Sequence, residues 1–183
     1  MYLPFRSGTF DLVLSHAVIE HVADAGLYLR ECARVLTPDG RVYLSTAPYL
    51  SFAGAHLPRL KVQLPLHLMF GRRVAFATFQ FLARHAPWTL KEPAHENSFI
   101  KAAQRGERKF DDLLEKVRVT RLRKQIADAG LRVVREELHA TATVRRLPKA
   151  IGTWLRDSPI TQDALISNIE YVLALAEPAP AAH

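Results

Sequence analysis

The sequence has one cysteine, no secretory signal at its start and no apolar run long enough to span a bilayer. The lone Cys32 cannot form an internal disulfide, which favours a reducing cytoplasm as the compartment. The longest apolar window, Val74 to Ala83, is too short for a membrane-spanning helix. We therefore expect a soluble, cytoplasmic protein, with peripheral contact to a membrane left open.

Acidic residues are also scarce relative to basic ones, so that the net charge is +7. Residues 101–149 carry much of this excess, with 14 basic and 7 acidic side chains. Such a stretch can attract a phosphate-bearing substrate or an anionic lipid surface, or can form a solvated basic helix face. No recognised nucleic-acid-binding motif accompanies the charge, so we do not expect a nucleic-acid partner.

A strand, a helix and a second strand are predicted between residues 10 and 47. The nearly continuous apolar run at 10–15 is typical of a strand covered on both faces, as in a parallel sheet. Asp24 is a plausible N-cap for the helix, and Pro38 and Gly40 should end it. The helix has apolar residues at helical spacing, namely Tyr28, Leu29, Cys32, Val35 and Leu36.

Residues 41–47 then form the second predicted strand, parallel to the first. Ligands in such sheets bind beyond the carboxyl ends of the strands. These ends are Ser15-His16-Ala17 and Thr46-Ala47-Pro48.

The same region resembles a known family. The runs Leu3-Pro-Phe-Arg-Ser-Gly-Thr-Phe-Asp-Leu-Val-Leu-Ser-His-Ala-Val-Ile-Glu-His-Val22 and Leu29-Arg-Glu-Cys-Ala-Arg-Val-Leu-Thr-Pro-Asp-Gly40 are similar to the middle of class I S-adenosylmethionine-dependent methyltransferases, of the type 11-like group. The resemblance implies an α/β fold: an incomplete Rossmann-like sheet, with only family strands 4 to 7, and an α-helical lid insertion. It implies S-adenosylmethionine as the cofactor.

The sequence departs from the family in its glycines. A complete member has a glycine-rich turn against the cofactor before the Leu-Pro-Phe element, whereas no two of the eight glycines here stand two residues apart. The resemblance therefore implies the carboxyl-terminal part of a methyltransferase, inactive by itself. An amino-terminal complementing chain or an oligomer would then complete the enzyme.

The resemblance also indicates site residues. Ser15, His16 and Ala17 would contact the methionine end of the cofactor, and Leu3 and Phe5 would lie near its adenine. His21, or alternatively His16, would serve as the catalytic base, because a histidine titrates in the required range. A purely structural role for either histidine remains open.

A metal site at this loop is disfavoured by spacing. Two zinc-binding histidines on one helix stand four residues apart, whereas His16 and His21 stand five apart, about 140° around a helix of 3.6 residues per turn. We expect no metal.

The strand-helix alternation stops after the second strand, where the family carries its variable, substrate-covering insertion. Pro58 and Pro65 should break the segment 57–70, and residues 71–84 should form a helix. The apolar face of this helix, with arginines at its borders, suits core packing, a membrane interface or a hydrophobic acceptor. It therefore favours a small-molecule or lipid-like acceptor, with membrane contact through residues 57–86. The helix carries Phe76, Phe79, Phe81, Leu82 and Ala83, bordered by Arg72, Arg73 and Arg84.

The rest of the sequence is predicted to form the carboxyl-terminal part of the core. A short charged helix is expected at 107–116, and Thr120 should cap a helix at 121–128 that Gly130 ends. Strands should follow at 131–138 and 166–175, the second antiparallel by the family resemblance, with a helix or loop at 144–158 between them. The predicted parts are a half-core at 1–48, a lid at 49–115, a core end at 116–176 and a disordered tail at 177–183.

Two functions follow from this sequence. The first is methyl transfer by an enzyme that this chain forms in part. The second is a non-catalytic interaction module, or subunit, that uses half of a methyltransferase sheet as its scaffold.

Overall fold

A computed structural model describes residues 2–51, 57–58, 60–61, 66–93, 95–107, 109, 117–159 and 161–177. Most of the helix predicted at 107–116 and of the predicted tail lies outside these residues. Four strands form one mixed sheet in the order β1-β2-β4-β3. They are β1 at Phe10–His16, β2 at Leu36–Thr46, β3 at Leu131–Ala140 and β4 at Ile166–Leu175.

The predicted crossover is confirmed. Helix α1, at Ala25–Val35, joins β1 to β2, and the two strands are parallel. The Asp24 carboxylate accepts a hydrogen bond from the Leu27 N–H at 2.8 Å, so Asp24 is the predicted N-cap.

The helix ends before Pro38, and β2 begins earlier than the predicted residue 41. Leu36 already pairs with Phe10, and the register is irregular until Leu12 pairs with Arg41. This irregular pairing accommodates Pro38, which has no N–H to donate to a regular ladder. At Gly40 a Cβ would stand 2.7 Å from the Leu36 side chain, so a glycine is needed for this close approach.

The carboxyl-terminal strands complete the sheet as expected. Strand β4 lies between β2 and β3 and is antiparallel to both. Helix α5, at Val119–Asp128, precedes β3, and Gly130 between them adopts the left-handed conformation with φ of 74°.

Thr120 is not the cap of α5, contrary to the prediction. The helix begins at Val119, two residues before the predicted start at 121, and the Val119 N–H donates to the carboxylate of Asp163 at 2.7 Å. A side chain 44 positions away thus replaces the local cap, which no local sequence pattern could indicate.

One face of the sheet is packed and the other is open. Helices α1 and α5 contact each other and cover the packed face, whose buried residues we call the sheet core. On edge strand β1, Leu12 and Leu14 point the other way and are 56% and 68% exposed. The prediction that β1 is covered on both faces is therefore wrong for the described residues, since none of their elements covers that side. The largest fully buried side chains of the sheet core are Ile19, Leu29, Leu44, Leu122, Ile126, Ile166, Ile169, Tyr171 and Leu173.

The segment after β2 has a small core of its own. It contains α2 at Leu66–Met69, α3 at Gly71–His85, a 3₁₀ turn at Pro87–Thr89 and α4 at Ser98–Gln104. Helix α3 was predicted, but α4 was missed, although its N-cap Asn97 accepts from two backbone N–H groups. We call its buried cluster the lid core; it consists of Phe79, Ala83, Leu90, Ile100 and Ala103.

Three further helices precede β4: α6 at Ala142–Arg145, α7 at Lys149–Asp157 and α8 at Gln162–Leu165. Helix α7 lies within the segment predicted as a helix or loop and carries Trp154. Across the described ranges, no helix combines the length and apolar character needed to cross a membrane.

Candidate functional site

The candidate site is the edge of the sheet where β1 and β2 end. Because the two strands are parallel, their carboxyl ends lie side by side, with His16 paired to Ser45. The loops that follow both strands therefore meet at this edge, as the topology requires.

Ser15 is buried near the end of β1, and a side chain of α1 bonds to it. Its hydroxyl accepts a hydrogen bond from the hydroxyl of Tyr28 at 2.9 Å. Burial raises the pKa of Tyr28 to about 12, so this phenol stays protonated and keeps donating. The Ser15 side chain is thus fixed in the interior, and its backbone faces the edge.

Ala17 has a backbone conformation that is rare for a residue with a side chain. Its φ is 53°, in the left-handed region, and its N–H donates to the Ser45 carbonyl at 2.9 Å. Such strain is concentrated at ligand sites and turns that the surrounding structure holds in place. Here it turns the chain sharply at the end of β1, so that a ligand can approach the backbone.

The next turn, Ile19–His21, is held in place by a buried carboxylate. Glu20 is 1% exposed, and its Oε2 accepts a hydrogen bond from the Thr46 hydroxyl at 2.9 Å. This bond joins the loop after β1 to the end of β2. It fixes the spacing of the two loops, so Glu20 positions the site.

His16 and His21 share this edge, and both side chains are exposed. The His21 N–H donates to the Val18 carbonyl at 2.8 Å, which orients the start of the side chain. Their accessibility is compatible with contact to a ligand, and their roles remain predictions.

Leu3 and Phe5 lie at the opposite end of β1. The Leu3 N–H donates to the Glu31 carboxylate and the Leu3 carbonyl accepts from Arg34, two residues near the carboxyl end of α1. The Phe5 ring packs against the Phe10 ring, with 5.0 Å between the ring centroids. The structure therefore does not bring them together with the other predicted site residues. Their contact with the adenine also remains a prediction.

A further histidine reaches the edge from the lid. His67 of α2 is buried, and its Nε2 stands 3.0 Å from the carbonyl of Tyr49, just after β2. Burial lowers the pKa of His67, so it is neutral at physiological pH. Sequence reasoning missed it because the adjacent prolines predicted only a broken segment.

The edge offers backbone and hydroxyl groups of the kind that an extended polar ligand needs. The Oγ of Ser51 is buried after β2 with no hydrogen-bond partner among the described residues. Together with the exposed histidines and the strained turn at Ala17, this fits a ligand bound beyond the strand ends.

Comparison with known proteins bears directly on this half of the fold. The family described as a methyltransferase domain matches residues 1–44. A ubiquinone biosynthesis O-methyltransferase of Caulobacter vibrioides is 52% identical over 40 residues, which are 22% of this chain and 16% of that protein. The chain thus matches about a sixth of the length of this relative.

Solved structures also match, at low similarity. A complex between a Haloferax volcanii methyltransferase activator and the putative methyltransferase has a TM-score of 0.47 and 16% identity, over 97% of this chain and 59% of that chain. The trans-methyltransferase CalH in complex with SAH has a TM-score of 0.41 and 10% identity, over 94% of this chain and 32% of that chain.

Residues 1–44 accordingly match a methyltransferase domain, which agrees with the family that the sequence resembles. The cofactor of this family is S-adenosylmethionine. The segment contains β1, α1 and most of β2, the elements that build the candidate site.

Proposed function

We propose that this chain forms the carboxyl-terminal part of a methyltransferase that transfers the methyl group of S-adenosylmethionine to a small-molecule or lipid-like acceptor. The observation that carries the proposal is the strained, locked loop after β1, within the segment that matches the family. The cofactor supplies a methyl group on a sulfonium, and the acceptor atom displaces the sulfur in line.

The residues of this chain align the reaction and remove a proton. In the proposal the backbone of Ser15 to Ala17 holds the methionine end of the cofactor, and the Glu20–Thr46 bond keeps that loop in position. Leu3 and Phe5 contribute near the adenine. His21, or His16, removes the proton of a hydroxyl acceptor. This proton removal accelerates the reaction beyond what alignment of the acceptor with the methyl group provides.

His21→Ala in the full-length gene product tests the role of the base. We expect turnover to fall by about a hundredfold, with cofactor affinity nearly unchanged. His95→Ala, which changes an exposed histidine away from both the candidate site and the lid helix α3, is the matched control. Unchanged turnover in His21→Ala would remove His21 from the proposal, and His16→Ala would then be tested in the same way.

The sequence lacks the glycine-rich cofactor turn of the family that it resembles, and β1 lies at the edge of the sheet, so we propose an amino-terminal part that pairs with β1. Isothermal titration of the 183-residue chain with S-adenosylmethionine should give no heat of binding. Addition of an amino-terminal fragment with the glycine-rich turn should restore binding. If the mixture of the chain and the amino-terminal fragment still did not bind S-adenosylmethionine, the proposal of a split or truncated enzyme would be refuted.

The second candidate function is a non-catalytic interaction module. The open sheet face favours it, because Leu12 and Leu14 are exposed on β1, whose outer edge has no partner strand among the described residues. Such a face and edge suit association with another chain. A module would associate with a partner yet never bind the cofactor, so the same titration separates the two candidates.

The lid supports a lipid-like acceptor. Helix α3 buries Phe76, Phe79 and Ala83, yet its opposite side is also apolar and is exposed. A helix that is apolar on both sides is normally covered. We call this side the lid surface; it consists of Phe70, Val74, Ala77 and Phe81, with Arg73 and Arg84 beside it.

We propose that the lid surface rests on an anionic membrane from which the acceptor is taken. Apolar side chains bordered by arginines match such an interface. The 183-residue chain should sediment with phosphatidylglycerol vesicles and much less with phosphatidylcholine vesicles. Phe81→Asp should abolish sedimentation with phosphatidylglycerol vesicles. Ile151→Asp, at an exposed apolar position of α7, should leave it unchanged. Equal effects of both variants would contradict a role for the lid surface.

A further inference from the structure

Three side chains with metal-binding atoms converge on the open face of the sheet, away from the candidate site. Glu137 and His139 stand two apart on β3, so both point to the same face, and Glu170 of β4 pairs directly with Glu137. The Nε2 of His139 lies 3.2 Å from Oε1 of Glu170 and 3.7 Å from Oε2 of Glu137. All three ligand atoms lie within 4.8 Å of one another.

These separations match the donor atoms around one metal ion. With metal-ligand distances of about 2.1 Å, two donors of a tetrahedral site stand about 3.4 Å apart. Adjacent strands also hold the three Cα positions firmly, because β3 and β4 pair along nearly their whole length. Little backbone movement is needed to complete the coordination.

The electrostatics of the cluster favour a cation. Two carboxylates placed directly opposite each other on antiparallel strands repel. Each carboxylate has a further partner: Arg135 forms an ion pair with Oε1 of Glu137, and the Asn168 amide donates at 3.1 Å to Oε1 of Glu170, the same oxygen that faces His139. The Oε2 of Glu137 stays directed at the histidine, and all three side chains are partly exposed, so an ion can reach them from solvent.

We propose that Glu137, His139 and Glu170 bind a divalent transition-metal ion, with water completing its coordination. One imidazole and two carboxylates are ligands that suit zinc and its neighbours in the first transition row. The site is separate from the methyl-transfer proposal and stands without it.

Zinc titration of the untagged 183-residue chain tests the site. Isothermal calorimetry should show one equivalent of bound zinc, and cobalt should give visible absorption bands of a low-coordinate site. His139→Ala and Glu170→Gln should each weaken zinc binding by at least about tenfold. Circular dichroism verifies that each variant is folded, and Glu137→Gln replaces either one that is not.

Two controls separate this site from other histidines and from a simple ion pair. His95 and Glu96 form an exposed histidine-carboxylate pair with a nitrogen-oxygen distance of 3.3 Å. They are not part of the cluster of Glu137, His139 and Glu170, so His95→Ala should leave zinc binding unchanged. Arg135→Gln should strengthen zinc binding, because it frees an oxygen of Glu137. Unchanged zinc affinity in His139→Ala and Glu170→Gln, or equal losses in His95→Ala, would overturn the proposal.

Discussion

The sheet core and the lid core are built in different ways. The sheet core joins residues from both ends of the chain, since β2, in the first fifty residues, pairs with β4, beyond residue 165. Among the described residues, the buried members of the lid core lie between positions 79 and 103, with Leu57 and Leu60 packed against them, and the two clusters share no residue. We therefore expect the sheet to set the stability of the whole fold, and the segment that holds the lid core to unfold locally first.

Removal of a central side chain of the sheet core should have the largest effect. Leu44 is fully buried in β2, between α1 and the strands on either side. Leu44→Ala should lower the free energy of unfolding by about 2–5 kcal/mol, because it leaves a cavity that cannot collapse. Urea denaturation followed by circular dichroism measures this. A loss below about 1 kcal/mol would mean that the sheet core is not the stability-determining unit.

Phe79→Ala, the matching change in the lid core, should act locally. The Phe79 ring contacts Phe99 and Phe76, at 5.5 and 6.5 Å between centroids. Its loss should raise hydrogen exchange across α3 and α4 while exchange in β2 and β4 stays slow. If exchange rises in the sheet to the same degree, the two cores unfold together and the distinction fails.

Loss of the N-cap of α1 should have a smaller effect. Asp24→Ala should cost about 1 kcal/mol of stability, because the Leu27 N–H loses its acceptor. Thr120→Ala is the matched control, since α5 begins at Val119 and is held by Asp163. A similar loss in both variants would restore Thr120 as a cap and contradict the observed start of α5.

The smallest effect should be a pH dependence at the amino-terminal segment. Hydrogen bonds from Arg34 and from the Leu3 N–H lower the pKa of Glu31 to about 2, against 4.5 for an ordinary glutamate. A carboxyl whose pKa is lower in the folded state stabilises the fold above pH 4.5, and this contribution is lost as the pH falls towards 2.

The urea concentration at the unfolding midpoint should therefore fall less between about pH 4.5 and 2 for Glu31→Gln than for the unmodified chain. Glu96→Gln is the control, because Glu96 is exposed and forms a surface ion pair with the neighbouring His95. A profile for Glu31→Gln that falls as steeply as that of the unmodified chain would contradict the anchoring role of Glu31.

The sequence predicted the elements that repeat a local pattern. Helix α1 has its apolar residues at helical spacing behind an N-cap, and α5 ends at a glycine that adopts positive φ. The strand-helix-strand order then left parallel pairing as the expected topology. For the candidate site the sequence placed Ser15, His16, Ala17 and His21 together, because all lie at the end of β1 or in the loop after it, and their roles remain predictions.

Contacts between distant residues could not be predicted in this way. Glu20 and Thr46 are 26 positions apart, and Val119 and Asp163 are 44 apart. His67 reaches the edge only because α2 folds back onto Tyr49. The cluster of Glu137, His139 and Glu170 exists only through the register of β3 against β4.

By itself, then, the sequence determined the approximate positions of the four strands and of helices α1, α3 and α5 and which family the first 44 residues match, because apolar spacing, caps and glycines act over a few residues. Only the tertiary structure decided which face of β1 is open, how the two site loops are joined and where acidic side chains meet a histidine. These features depend on strand register and side-chain packing, which bring together residues that are far apart in the chain.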